Sequence, residues 1–335
     1  NLLKSKDEEY KRYPLTIGFN TENFLVHLIN NAPSELMFNE TYVYDSSKSE
    51  PMITHFKQVA NQLKERFKPS KILEVGSNSG IFINNFPTEN AVAVEPCFNF
   101  AKKTTDMGIV TYPNYWDWNL AYNIHHEHGK MDLIFSSNTI SHIQDLDSCF
   151  RGLKHVLADD GVLVIESPSL KSIIKNNIID QFYHEHQSYF SILSLNKILS
   201  DYDLEIFDVE EIWVHGGSYR FFIKHKTNTT HQISYEFYKL VGEEKWCGLT
   251  NPNELKASFL RMKHNLLKLE GYLIDKKSLG KKIIGYGASA KLSLILNIAQ
   301  INNSLIDYVI DTTPDKHYKF IPGTNIEILP YSKEL

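Results

Sequence analysis

Cysteine is scarce in this chain. There are three in 335 residues, Cys97, Cys149 and Cys247, far apart and odd in number. This argues against a disulfide framework and against any Cys-x-x-Cys metal site, and it fits a reducing, cytoplasmic setting. An excess of charge of one sign is also lacking. With 22% charged residues and a formal charge of −5, the chain carries no electrostatic footprint for nucleic acid. No apolar run is long enough to span a bilayer, and the first residues are polar and mixed in charge rather than signal-like, so no membrane association is expected. Asn1 rather than Met opens the chain, which leaves room for native residues ahead of it. Short-period repeats and low-complexity tracts are absent.

Strand and helix patterns alternate along the chain. Residues 53–67 carry apolar side chains at helical spacing and lead into Ile72, Leu73, Glu74 and Val75, a short apolar run followed by glycine, as a buried parallel strand should be. Further strand-like runs lie at 91–95, 109–112, 131–136, 161–166, 204–209 and 219–224, most of them separated by helical patterns. That alternation predicts a doubly wound parallel α/β sheet. The polar stretch 226–230 is the best linker candidate, after which helical patterns precede a second strand, turn and helix at 282–291 and another strand at 306–310. The expected division is a lobe over 1–40, a central domain over 41–225 and a second α/β domain over 226–335.

Two features carry chemistry. The first is Glu74-Val75-Gly76-Ser77-Asn78-Ser79-Gly80, expected to end a strand and open a helix. Gly76 and Gly80 let the backbone turn sharply and approach a ligand where open α/β sheets bind nucleotides. The spacing is not the Gly-x-Gly-x-x-Gly of dinucleotide enzymes. Glu95, nineteen residues past Gly76, ends the next strand, placed to accept both hydroxyls of a ribose. The second is Tyr183-His184-Glu185-His186-Gln187-Ser188-Tyr189, two imidazoles and a carboxylate between phenols. His titrates near neutrality, and Glu beside it can orient it or act as the base. Taken alone, the triplet also reads as a solvated loop or, through His-x-His, as a pair of metal ligands, although the His-Glu-x-x-His spacing of a zinc protease is absent. A third cluster, His125-His126-Glu127-His128, is expected to be a solvated loop between helix and strand.

In order along nearly the whole chain, EVGSNSG at 74–80, VEP at 94–96, SNTISHIQD at 137–145, IESPSL at 165–170, YHEHQSYFS at 183–191, HGGSYR at 215–220, GYGASAK at 285–291 and the stretch 306–329 resemble one family. It is the S-adenosylmethionine-dependent C-methyltransferases of nucleotide-linked 4-keto-deoxysugars. The resemblance implies a class I methyltransferase domain with a Rossmann-like sheet, an N-terminal zinc lobe and a C-terminal Rossmann-like domain that helps bind the nucleotide-sugar. Asn20 and Asn23 stand in the region where that lobe's cysteine pair is expected, and amides cannot replace thiolates on zinc, so the lobe is read as degenerate and metal-free.

Carried onto this sequence, the resemblance implies S-adenosylmethionine held by Glu74, Gly76, Ser77, Asn78, Gly80, Glu95, Pro96, Ser137 and Asn138, with Tyr42 and Tyr44 folding over it. Methylating carbon beside a ketone needs a base for the acidified C–H and a donor for the enolate oxygen. His186 is expected to be that base, with Glu185 orienting it or taking the proton directly, and Tyr183 and His142 are expected to hold the enolate or the keto-sugar. His215, Gly216, Gly217 and Ser218 are substrate candidates, as are Tyr286, Gly287, Ser289, Lys291 and Lys316 for the substrate's diphosphate. O- or N-methylation of a sugar or small metabolite, or non-catalytic nucleotide-sugar binding, are the alternatives. The nucleotide, the sugar and the oligomeric state are not legible.

Overall fold

The computed structural model describes residues 2–42 and 44–332. They form two compact units: Thr16–Ser172 with His184–Thr250, and the residues up to Leu15 with Ile173–Tyr183 and those from Asn251 onward.

The first unit opens with a hairpin, β1 (Ile17–Phe19) and β2 (Val26–Leu28), and then helix α1 (Glu50–Phe67). Met52, Phe56, Val59, Ala60 and Leu63 make α1's buried stripe; the helix ends at Lys68, in the left-handed conformation, just before Pro69, which cannot extend it. There follow β3 (Ile72–Val75), β4 (Ala91–Val94), α2 (Phe98–Asp106), β5 (Val110–Tyr112), α3 (Trp118–His128), β6 (Met131–Ser137), α4 (Leu146–Val156), β7 (Leu157–Pro168) and the first residues of α5 (Leu170–Lys175), which belongs from Ile173 onward to the second unit. After them come β8 (Ser188–Tyr189), α6 (Ile192–Ser200), β9 (Leu204–Ile212), β10 (Ser218–His225) and α7 (Tyr235–Trp246).

Seven strands make one sheet in the order β5-β4-β3-β6-β7-β10-β9. Successive strand residues face opposite sides, and two cores result. Ile72, Ala93, Leu133 and Val164 pack against α1, while Leu73, Val94, Ile134 and Ile165 pack under α3, α4 and α6. This is the doubly wound arrangement expected from sequence, with one departure. β10 is antiparallel to both β7 and β9, because only a tight turn, Val214–Gly216, joins it to β9, and so short a connection cannot return the chain parallel. The hairpin lies in a separate sheet in which β2 pairs with β8.

The second unit contains α8 (Pro252–Ser278), β11 (Ile284–Tyr286), α9 (Ala290–Ile298), β12 (Tyr308–Asp311), β13 (Phe320–Ile321) and β14 (Ile326–Pro330), with sheet order β11-β12-β14-β13. Leu296, Ile301, Val309, Ile326 and Ile328 form its core, and Leu3 bridges Phe320. The units divide after Thr250 rather than at 226–230. The physical reason is Glu244 of α7, whose carboxylate accepts the N–H groups of Ile192 and Leu193 at 2.9 and 3.0 Å, capping α6 and tying α7 to the first unit.

Two local expectations are corrected. His125, His126, Glu127 and His128 are not a loop but the last turn of α3, which Asp117 caps by accepting Leu120 N–H at 2.8 Å. Imidazoles suit a helix C-terminus, and His125 Nδ1 lies 2.8 Å from His155 Nε2. The segment after Gly80 does not open an α-helix. It makes turns and a short 3₁₀ segment, Ile83–Asn85, cut short by Pro87.

Candidate active site

The glycine loop leaves β3 at the carboxyl edge of the sheet. Gly76 adopts φ +81°, and a Cβ there would sit 2.0 Å from Thr139 Oγ1, so only glycine fits beside the β6 loop. Gly80 adopts φ +76° and donates its N–H to Ser77 O at 2.8 Å. Glu95, at the end of β4, accepts Asn78 N–H at 2.7 Å with one oxygen and Cys97 N–H at 2.9 Å with the other. Each oxygen keeps a lone pair for a further donor. Burial pushes this carboxyl up, against those hydrogen bonds. Glu74 lies below the loop, accepting Ile83 N–H at 3.1 Å, and burial raises it well above the usual range. Its contact is thus with the chain itself. Pro96 lines an open cleft of about 450 Å³ with Phe38, Phe98 and Tyr115.

The β6 loop is braced from behind. Glu166 accepts His55 Nε2–H at 2.9 Å, Arg220 Nε–H at 2.7 Å and Ser137 Oγ–H at 3.0 Å, and its backbone O accepts Asn138 N–H at 2.8 Å. Burial opposes ionisation of Glu166, but the His55 hydrogen bond and the Arg220 guanidinium hold it below the usual range. Asn138, at φ +54°, gives Nδ2–H to Ser137 Oγ at 3.0 Å.

Backbone pairing sets the histidines. Gln187 N–H donates to Ser141 O at 2.8 Å and Leu28 N–H donates to Gln187 O at 2.9 Å, so the residue after His186 is fixed to the β6 loop on one side and to β2 on the other. His186 therefore stacks on His142, with ring centroids 5.1 Å apart and 20° between planes, and His142 stacks on Phe38 at 5.1 Å. Burial, with a smaller contribution from His215, lowers His142 to about 4 and keeps it neutral. Glu185 accepts Tyr42 Oη–H at 3.3 Å, and burial raises its carboxyl. His215, at φ +55°, lies in the β9–β10 turn; Gly217, at φ +116°, has no room for a Cβ beside Ser172, and its O accepts Ser169 N–H at 3.1 Å.

The first unit thus brings together Glu95, Ser77, Asn138, Tyr42, His142, Glu185 and His186. Phe38 and the His55, Glu166 and Arg220 set were missed from sequence. Phe38 sits in a stretch without period, whereas Glu166, a charge closing the apolar run 161–165, was a readable anomaly. Tyr183 and the Gly285–Lys291 loop fall in the second unit. There Lys291 Nζ lies 3.6 Å from Asp180 and 5.9 Å from the Tyr183 ring centre, and Lys316 Nζ donates to Asp311 at 3.1 Å. Asp311 also accepts Ala288 N–H at 2.7 Å. Tyr286 is exposed.

At the opposite end of the chain, the amides at Asn20 and Asn23 close the β1–β2 turn, accepting the N–H groups of Glu22 and Leu25 at 2.8 and 3.1 Å. No cluster of three or more His, Cys, Asp or Glu side chains suited to a metal occurs among the described residues.

Residues 24–209 match a family model described as a methyltransferase domain, and residues 213–334 match one described as a C-methyltransferase C-terminal domain. The chain belongs to the methyltransferase-domain family. This methyltransferase is 28% identical over 339 aligned residues to C-methyltransferase NovU of Streptomyces niveus, covering 98% of this chain and 79% of the relative. Solved structures similar to it include a possible histamine N-methyltransferase from Thermotoga maritima, at 16% identity and TM-score 0.39 over 52% of this chain and 88% of that one. Another is magnesium protoporphyrin IX methyltransferase from Synechocystis PCC 6803 with bound S-adenosylhomocysteine, at 12% identity and TM-score 0.39 over 51% and 81%. The chain is an S-adenosylmethionine-dependent C-methyltransferase of class I fold.

The residues present fit that cofactor. Ser77 Oγ, Asn138 Oδ1 and His142 Nε2 are buried without a hydrogen-bond partner among the described residues, around a glycine that admits no side chain. Orphaned polar atoms of this kind call for a polar ligand. Asn138 Oδ1 can accept from an ammonium group, and the Glu95 oxygens can accept from ribose hydroxyls.

Proposed function

We propose that this methyltransferase acts on C-3 of a nucleotide-linked 4-keto-deoxysugar, and that Glu185 and His186 remove the proton from that carbon. The observation that carries the reading is the stack of His186 on a neutral His142, with the Tyr42-bonded Glu185 beside it. O- or N-methylation requires far less proton-abstracting machinery.

S-adenosylmethionine, when bound, supplies an electrophilic methyl group that a carbanion can take. Glu95 would hold the ribose hydroxyls, Pro96 and Tyr44 would contribute to the nucleoside site, and Asn138, Ser137, Ser77 and the Gly76–Gly80 backbone would hold the amino acid end. His186 takes the proton from the carbon next to the ketone. Glu185, lifted toward neutrality by burial, is poised to share that proton or to orient the imidazole. His142 stays neutral at physiological pH and so has one N–H for the developing enolate oxygen, a bond that strengthens as charge builds. Tyr183 assists at the sugar, and His215, Gly216, Gly217 and Ser218 bound the ring. Tyr286, Gly287, Ser289, Lys291 and Lys316 receive the nucleoside diphosphate, which has to compete with Asp180 and Asp311 for the two lysines.

A screen of keto-sugar nucleotides in deuterated water tests the substrate class. The proper substrate should take up one deuterium at the carbon beside the ketone and, with cofactor, gain one methyl there by mass spectrometry. Methyl transfer to oxygen or nitrogen without deuterium uptake would overturn the reading.

A further inference from the structure

Asn78 lies at the heart of the cofactor loop, yet its side chain faces the chain and not the loop's open side. Its Oδ1 accepts Ser46 N–H at 3.0 Å and Ser46 Oγ–H at 2.9 Å, and its Nδ2–H donates to Tyr44 O at 2.9 Å. An amide has two donors and one acceptor oxygen with two lone pairs, so one donor alone is left. Its backbone N–H meanwhile belongs to Glu95. Asn78 is held at φ +48°, a left-handed conformation that asparagine tolerates and most residues resist. Residues 44–48 are pinned from the other side too: Lys103 Nζ donates to Asp45 at 2.7 Å, helping to bring that carboxyl down to about 2. Just before them, Tyr42 O accepts Asn99 Nδ2–H at 3.3 Å, and Tyr42 Oη–H reaches Glu185.

We propose that Asn78 is a positioning residue and not a cofactor ligand: its side chain latches residues 44–48 over the cofactor loop and thereby places the Tyr42 hydroxyl on Glu185. One residue then joins the ribose acceptor, through its backbone, to the strap that carries Tyr42, through its side chain. The last step, from Tyr42 to turnover, rests on the assignment of Glu185 and His186 to proton abstraction.

Asn78→Gly is the suitable variant, because glycine takes φ +48° without strain and removes the latch, together with the longer bond from Ser79 Oγ–H at 3.3 Å inside the loop. Amide hydrogen exchange on the full-length protein, followed by mass spectrometry and needing no sugar substrate, is the primary readout. Protection at residues 44–48 should fall about tenfold or more, while β3 and β6 keep theirs. Ser46→Ala, which replaces no residue of the cofactor loop and keeps the Ser46 N–H bond to Asn78 while losing the Oγ–H bond, should lower the same protection in part. The dissociation constant for S-adenosylmethionine in Asn78→Gly should stay within about fivefold of the parent by calorimetry. Protection that survives in Asn78→Gly, or an affinity loss beyond that limit, would overturn the latch. With a verified substrate, kcat should fall while KM for the cofactor holds. Failure to find any substrate would count against the proposed function and leave the exchange result standing.

Discussion

The chain contains two glycine loops built on one plan, and their charges are handled in opposite ways. In the first, β3 leads into Gly76–Gly80 and the neighbouring parallel strand β4 is followed at once by Glu95, which accepts Asn78 N–H at 2.7 Å. In the second, β11 leads into the loop from Gly287 and the neighbouring parallel strand ends in Asp311, which accepts Ala288 N–H at 2.7 Å. Glu95 has no cation within ion-pairing distance among the described residues, and burial pushes its carboxyl up. Asp311 is held well below the usual range: burial works against ionisation, but the N–H groups of Thr313 and Ala288 and the ammonium of Lys316 prevail. A carboxylate left without a cation in a buried loop keeps its appetite for a ligand's hydroxyl groups, and one already neutralised does not. The same contrast extends outward. Glu74, Glu185, Glu244 and His142 in the first unit are all driven toward their neutral forms by burial, with Glu166 the paired exception.

Substitutions can break the contrast, and the largest effect is expected at the imidazole stack. If His186 is the proposed base, His186→Ala should retain cofactor binding and lose turnover by about 10²- to 10⁴-fold, the range for removing a general base, in steady-state assays with the substrate that the deuterium screen identifies. A smaller but still severe effect is expected from the loop itself. Gly76→Ala, where the new Cβ meets Thr139 and φ is positive, should cost about 2–4 kcal/mol in denaturant titrations, whereas Gly287→Ala, with nothing within 4 Å, should cost only about 1–2 kcal/mol of backbone strain. Equal costs at both would show that the loops are not packed as differently as described.

At the carboxylates, Glu95→Ala should weaken S-adenosylmethionine binding by about 1.5–3 kcal/mol in calorimetry, the scale for losing charge-assisted hydrogen bonds, while Asp311→Ala should leave it unchanged. The smallest effect concerns pH. Glu244 is raised by burial from 4.5 to about 7, so its contribution to stability is full below pH 4.5 and lost as pH rises through about 7. His142, lowered by burial from 6.5 to about 4, acts oppositely: the unfolded chain binds its proton more readily, and stability falls as pH drops from 6.5 toward 4. The two slopes oppose each other between 4.5 and 6.5. Glu244→Gln should therefore show melting temperatures that climb more steeply with pH across that window than the parent's.

Much of this was legible in sequence because burial on both faces makes a parallel strand largely apolar, as at 161–165 and, Glu74 apart, at 72–75, and because a glycine between strand and turn has few other uses. The antiparallel β10 escaped because direction within a sheet is set by connection length, and Val214–Gly216 reads as a substrate loop before it reads as a hairpin turn. The α3 terminus escaped because three histidines resemble a polar loop once their helical register is ignored. Asn78 was expected at the cofactor because it lies inside the glycine motif 74–80. That its amide turns to Tyr44 and Ser46 depends on contacts more than thirty residues away in sequence, which no local pattern carries. The unit boundary likewise depends on Glu244 reaching α6.

Proton abstraction by Glu185 and His186 ahead of methyl transfer, as proposed, is tested without methyl donor. Substrate incubated with the parent protein in deuterated water should gain deuterium at the carbon next to the ketone, and His186→Ala should lose that exchange in parallel with turnover, about 10²- to 10⁴-fold. Loss in Glu185→Gln with retention in His186→Ala would move the base to Glu185. Full exchange in both single variants would contradict the account and place the base outside this segment.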